Sequence, residues 1–84
     1  MQITEILKDA KGKLVGLKQT LRGIQQNKVS LVYLANDVEE NIVRTINKQC
    51  QEKGIPLIPV NLTQKELGRI CQIEVGAAVV SLVQ

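Results

Sequence analysis

The chain has 84 residues, 44% of them hydrophobic and 23% charged. This suits one domain burying ~60% of its unfolded surface and excludes a disordered or fibrous polymer. No apolar run approaches the ~20 residues of a membrane span, and Met1-Gln2-Ile3-Thr4-Glu5 lacks the basic-then-apolar layout of a secretory signal, so a cytoplasmic location is expected. The histidine count of zero removes Ser-His-Asp and Cys-His nucleophilic machinery, most zinc chemistry and the commonest general base, so neither an enzyme nor a metal or cofactor is expected.

Ile3, Ile6, Leu7 and Ala10 fall at i, i+3, i+4 and i+7, which predicts a short amphipathic helix ending near Gly12. Leu14-Val15-Gly16 reads as a brief strand. In the segment that follows, Leu17, Leu21 and Ile24 give a second helix its apolar face, while Lys18, Arg22 and Gln25 repeat one residue out of phase as its basic-polar face. Leu31-Val32-Tyr33-Leu34-Ala35 is an unbroken apolar run of strand length, as expected of a central parallel strand covered by helices on both sides.

Asp37, with Glu40 three residues later, is a capping signal for a third helix whose inward face is Ile42, Val43, Ile46 and Cys50 and which Gly54 stops. Leu57-Ile58-Pro59-Val60 predicts a short strand, and Pro56 and Pro59 place it at a sheet edge. Thr63-Gln64-Lys65-Glu66 is a capping box opening a fourth helix with Leu67, Ile70 and Cys71 inward, and Ala77 to Val83 reads as a buried last strand. The alternation predicts a single three-layer α/β/α sandwich over residues 1–84, built on a small mixed or largely parallel sheet of about four strands.

Cys50 and Cys71 lie in apolar-periodic segments without C-x-x-C spacing, and both read as core residues. The net charge of +3 is uneven: residues 1–30 hold six Lys/Arg against Glu5 and Asp9, a local net charge of +4. An anionic partner at that part of the chain and a plain solvated lysine-rich face are both open readings. Gly12 to Thr20 fails as a nucleotide loop, since Gly12 and Gly16 are separated by three residues rather than four and no Lys-Ser/Thr pair follows Gly16. What remains is a glycine ahead of a helix, where a ligand can approach the backbone and the dipole favours an anion.

Lys18, Gln19 and Arg22 would project from that helix start, and they are residue types that read guanine edges and phosphate. On these residues alone a plain exposed polar face is the simpler reading. Tyr33 is the sole aromatic residue and sits in the core run, so stacking platforms are absent and RNA would be read through shape, phosphates and groove edges. Ile73 and Val75, alternating with Glu74 in a loop from Gln72 to Gly76, are either the lead into the last strand or an apolar cap over an unstacked nucleotide.

Two of these segments together resemble the kink-turn-binding ribosomal proteins, the archaeal "L-seven-Ae" group and its eukaryotic relatives. Gly16-Leu17-Lys18-Gln19-Thr20-Leu21-Arg22 looks like the family's helix motif, whose archaeal form reads Gly-x-Asn-Glu-x-x-Lys. Leu67-Gly68 followed by Ile73-Glu74-Val75-Gly76-Ala77-Ala78 looks like its RNA-contacting loop, and Ala35-Asn36-Asp37 resembles its strand-to-helix junction. Lys18, Gln19 and Arg22 stand where archaeal members carry asparagine, glutamate and lysine, a form similar to the short bacterial members.

The resemblance implies a protein that binds and stabilises kink-turns, with tandem sheared G·A pairs beside a bulge, in ribosomal or other structured RNA. It implies Gly16, Leu17, Lys18, Gln19 and Arg22, with Ile73, Glu74 and Val75, as the RNA-binding residues. No DNA or membrane partner is expected, and a monomer is the expected state because no apolar stripe is left over. The rival readings are an interaction or assembly module on the same fold and a small-molecule site at the Gly16 helix start.

Overall fold

A computed structural model describes residues 5–7 and 12–84. Residues 5–7 are helical (α1); the rest of the predicted first helix lies outside the described residues. Then come β1 (Lys13–Val15), α2 (Leu17–Gln25), β2 (Val29–Leu34), α3 (Glu40–Lys53), β3 (Leu57–Pro59), α4 (Gln64–Ile70) and β4 (Val79–Val83). The sheet is four-stranded and mixed, in the order β1-β4-β2-β3. β4 runs antiparallel to both β1 and β2, whereas β2 and β3 are parallel, so β1, β2 and β3 all point one way. β2 is therefore central, as expected, and parallel on only one side.

Strand alternation divides the apolar side chains between the sheet's two faces. Tyr33, Ala35 and Val80 join Leu7, Leu67, Cys71 and Ala77 on one face, under α1 and α4. Val32, Leu34 and Val79 join Ile24, Ile46 and Cys50 on the other, under α2 and α3. Each fully buried Leu, Ile or Val contributes roughly 1.5–3 kcal/mol, so these two layers dominate stability. The exposed Arg44–Glu40 pair, although 2.7 Å long, adds little by comparison. Lys13 helps to seat the N-terminal segment, its Nζ donating to the Leu7 carbonyl at 2.7 Å. Both cysteines are free and buried, and burial pushes both thiols up in pKa; beside Cys71 the charge of Lys13 partly opposes this. Among the described residues no helix is long and apolar enough to cross a membrane.

Three local features depart from the sequence pattern. β2 starts two residues before the apolar run, at Val29, because a register shift between Val29 and Leu31 leaves Ser30 as an exposed irregularity. β4 starts two residues later than expected, at Val79, although the Ala78 carbonyl still accepts from Ala35 N–H at 2.9 Å. The expected cap of α3 by Asp37 is not made: the N-cap is Glu39, without a side-chain hydrogen bond. Asp37 serves another helix instead, its Oδ1 accepting from the backbone N–H of Gln64 at the start of α4 at 2.8 Å. Gly54 ends α3 in the left-handed conformation, as its position suggests.

The capping box of α4 is complete. Thr63 Oγ1 accepts from Glu66 N–H at 3.1 Å, and Thr63 N–H donates to Glu66 Oε1 at 2.9 Å. The Thr63 backbone and hydroxyl bonds hold the exposed Glu66 carboxyl below its ordinary pKa of 4.5, with a smaller contribution from Arg69 and opposition from Asp37. A carboxyl whose pKa is lowered by folding stabilises the fold above its unfolded pKa, and that contribution is lost as pH falls through the folded value. Thr63→Ala removes the N-cap hydroxyl and should lower stability at neutral pH. It should also lose less on acidification than the parent does, as read from urea unfolding at neutral and acidic pH.

Candidate functional site

The directions of the strands gather every candidate segment at one end of the sheet. The carboxyl ends of β1, β2 and β3 meet the start of β4 there, and backbone hydrogen bonds join the segments that leave them. Gly16 N–H donates to the Val79 carbonyl at 2.9 Å, Val60 N–H to Leu34 at 2.9 Å and Asn36 N–H to Leu62 at 2.8 Å. Open α/β sheets characteristically bind ligands outside the carboxyl ends of their strands.

Gly16 is the N-cap of α2, with φ 105° and ψ 161°, a conformation that L side chains rarely adopt. A Cβ built on it would meet nothing within 4 Å, so its outer side is open to a ligand. No side chain caps α2 and its first turn holds no acidic residue, which leaves its N–H groups and dipole free to meet a negative charge. Lys18 and Gln19 are exposed on this first turn, and Arg22 is exposed one turn on. Thr20, Gly23 and Ile24 form the buried face. Leu17 is half-buried and packs with Leu21 against the α2/α3 core, so it holds the helix more than it faces a ligand.

The loop from Gln72 to Gly76 runs back along α4 as a clamped rib. Ile73 N–H donates to the Gly68 carbonyl at 3.0 Å, and Ala77 N–H to the Gln64 carbonyl at 2.9 Å. Gly68 permits this approach, because a Cβ there would overlap the Val75 carbonyl oxygen. Gln64 ties the rib to the rest of the site: its backbone N–H donates to Asp37 Oδ1, and its Nε2 donates to the Asp37 carbonyl at 3.1 Å. At the crest Glu74 is exposed and Val75 is 71% exposed. Ile73 is instead half-buried against the α4-side core, so of the two alternating apolar residues one anchors the loop and the other is presented.

The structure thus brings α2, with Gly16, Lys18, Gln19 and Arg22, to the same end of the sheet as the loop carrying Glu74 and Val75. Among the described residues there is no pocket and no cluster of three or more metal-ligating side chains, so the site is an open surface of mixed charge. The positions that hold this surface in place, Thr20, Gly23, Gln64 and Asp37 through its bond to Gln64, carry no local sequence signal of that role. Leu67-Gly68 is legible as a motif, but its reason, the close passage of the loop, needs the tertiary fold.

Comparison with known proteins gives concordant results. The model of the Ribosomal protein L7Ae/L30e/S12e/Gadd45 family matches residues 1–84. An RNA-binding protein of Caldanaerobacter subterraneus subsp. tengcongensis is 50% identical over 66 residues, 79% of this chain and 79% of that protein. An RNA-binding protein of Halalkalibacterium halodurans is 38% identical over 78 residues, 93% of this chain and 94% of its own length. Among solved structures, the Giardia lamblia 15.5kD RNA binding protein has a TM-score of 0.86 at 24% identity, covering 98% of this chain and 71% of that one, a likeness in fold.

Gly68→Ala should force the loop off α4. The expected result is a lowered thermal midpoint with amide shift changes concentrated at residues 73–77 and protection lost at the Ile73 and Ala77 N–H groups. A spectrum changed only in α4 would contradict the clamped arrangement.

Proposed function

Because the chain belongs to the ribosomal protein L7Ae/L30e/S12e/Gadd45 family, we propose that it is a non-enzymatic RNA-binding protein that recognises and stabilises kink-turns in structured RNA. The observation that carries the reading is the uncapped start of α2, with exposed Lys18 and Gln19, at the same end of the sheet as the exposed loop crest. The relatives named as RNA-binding proteins support the partner class.

A kink-turn bends a duplex so that tandem sheared G·A pairs expose guanine edges in a widened groove. The first turn of α2 enters that groove. Lys18 donates to guanine O6 and N7, and Gln19 both donates and accepts at a base edge. Arg22, one turn further on, places its planar fork on phosphate or guanine. Gly16, lacking a Cβ, lets the sugar-phosphate backbone close on the helix start, where free N–H groups meet the phosphate. On the other side Val75 and Glu74 cover a splayed bulge nucleotide, with Ile73 as their anchor. Tyr33 is buried, so aromatic stacking plays no part.

Binding the bent form alone shifts the RNA toward it by the protein's differential affinity. With about three to six phosphates neutralised, log affinity should fall against log salt with a slope of roughly 0.7 to 0.9 per phosphate.

The test is titration of the protein into a doubly labelled kink-turn RNA, followed by end-to-end energy transfer, beside a control whose G·A pairs are replaced by Watson–Crick pairs. Selective folding of the first RNA is expected; an equal or absent response to both would refute the reading and favour an assembly module. Lys18→Ala and Gln19→Ala should each weaken binding by ~1 to 3 kcal/mol and relax discrimination at guanines. Lys48→Ala, on the exposed side of α3, should leave binding unchanged; equal losses for all three would contradict the groove contacts.

A further inference from the structure

Thr20 and Ser81 are both fully buried, and they are the polar residues that the described core contains. They lie 61 positions apart and meet on the α2 face of the sheet, Oγ1 to Oγ at 3.1 Å. Ser81 sits in the middle of β4, paired in register with Leu14 of β1 and Val32 of β2. Around the pair the contacts are apolar: Leu14, Leu17 and Leu21 pack against Ile24, Val29, Val32 and Val79.

An apolar interface of that kind resists separation, yet being non-directional it does little against a helix rolling about its own axis. A hydrogen bond is directional and depends steeply on its angle. A roll of α2 would break the Thr20–Ser81 bond and leave two buried hydroxyls without partners, which costs the desolvation of both. Gly23, one turn along the same face, lets α2 lie close on the sheet, where a Cβ would come within 2.9 Å of Val29 Cγ2 and run into Leu14, so a roll that turned a neighbouring side chain into that space would meet them. The roll of α2 is therefore set by one close approach and one hydrogen bond. That roll decides where Lys18, Gln19 and Arg22, on the opposite and exposed side, are aimed.

We propose that Thr20 and Ser81 are positioning residues for RNA recognition, whose buried hydroxyl pair fixes the roll of α2 on the sheet and so sets the discrimination between sheared G·A edges and Watson–Crick edges. The inference rests on α2 being the RNA-facing helix. It assigns the pair a role in selectivity that is separable from stability, because replacing both partners of a buried hydrogen bond by apolar groups of similar shape is nearly neutral, whereas replacing one strands the other.

The variants are Thr20→Val, Ser81→Ala, their double, and Thr20→Ser, which keeps the hydroxyl. Each is measured for its urea midpoint, for its affinity toward the kink-turn RNA and the Watson–Crick control, and, without RNA, for the residual dipolar couplings of α2 amides relative to those of β4. Thr20→Val and Ser81→Ala alone should lower the midpoint, and the double should recover most of that loss. The double should nevertheless discriminate between the two RNAs roughly tenfold less well, the equivalent of about one misplaced base-edge contact. Its α2 couplings should report an altered or averaged helix orientation, and Thr20→Ser should retain parental discrimination. A double variant with unchanged discrimination and unchanged couplings would overturn the proposal, as would Thr20→Ser losing as much as Thr20→Val. If the parent protein itself fails to discriminate, the RNA-binding reading has failed, and the couplings alone then uphold or overturn the role of the hydroxyl pair in setting the roll.

Discussion

β4 runs between β1 and β2 and against both of them, and that one reversal organises the whole surface. Were the last strand parallel to its neighbours, the chain leaving α4 would have to enter the sheet at the opposite end, and the loop would lie far from the start of α2. With β4 reversed, the loop delivers the chain to the end where β1, β2 and β3 finish. Gly16 then binds Val79, Ala35 binds Ala78, and the junctions after β2 and β3 bind one another through Asn36 and Leu62. The mixed sheet is the constraint; the grouping of Lys18, Gln19, Glu74 and Val75 follows from it.

That end of the sheet is held mainly by backbone and short polar contacts, while the apolar layers sit to either side of it. Asp37 grips Gln64, Gln64 accepts from Ala77, and Gly68 admits the Val75 carbonyl against α4. Such a scaffold presents side chains without burying them. Lys18, Gln19 and Arg22 remain wet, and Val75 remains the most exposed large apolar residue among those described. Among the described residues this surface is open, without a pocket. It offers donors, one protruding apolar contact and a helix dipole to something larger and negatively charged.

Much of the fold was legible because the relevant signals are local. The i, i+3, i+4 spacing in α2 and α3, the unbroken Leu31–Ala35 run, the prolines just before and at the end of β3 and the Thr63–Glu66 box each encode their element within a few residues. Sequence pattern falls short where a local signal has a distant partner. Asp37 followed by Glu40 is a sound capping pattern, yet the Asp37 carboxylate is drawn to Gln64, 27 positions away. Thr20 is a polar residue at an apolar-face spacing, three from Leu17 and four from Ile24, and only the hydroxyl of Ser81, across the sheet, explains its burial. Ile73 and Val75 share an alternating pattern, and only the rib along α4 separates the anchor from the exposed contact. For the candidate site, sequence supplied which residues could do the chemistry; the packing that aims them could not be read from one strand or helix alone.

On the proposed reading, recognition of a bent RNA places a quantitative demand on such a small surface. Moving a bent form from roughly one part in a hundred to ninety-nine requires ~5.5 kcal/mol of differential affinity. Base-edge contacts of ~1 to 3 kcal/mol each, from Lys18 and Gln19, span about a third to all of that on the proposed reading, and phosphate contacts at Arg22 and the α2 start add the salt-sensitive remainder. These energies are realised only if the donors already lie where the bent groove will be, because every loose rotation of α2 is an ordering cost subtracted on binding. The protein must therefore be the stiffer partner. A glycine in close contact, a buried hydroxyl pair and a loop clamped at both ends each remove one degree of freedom from the surface, as that demand requires.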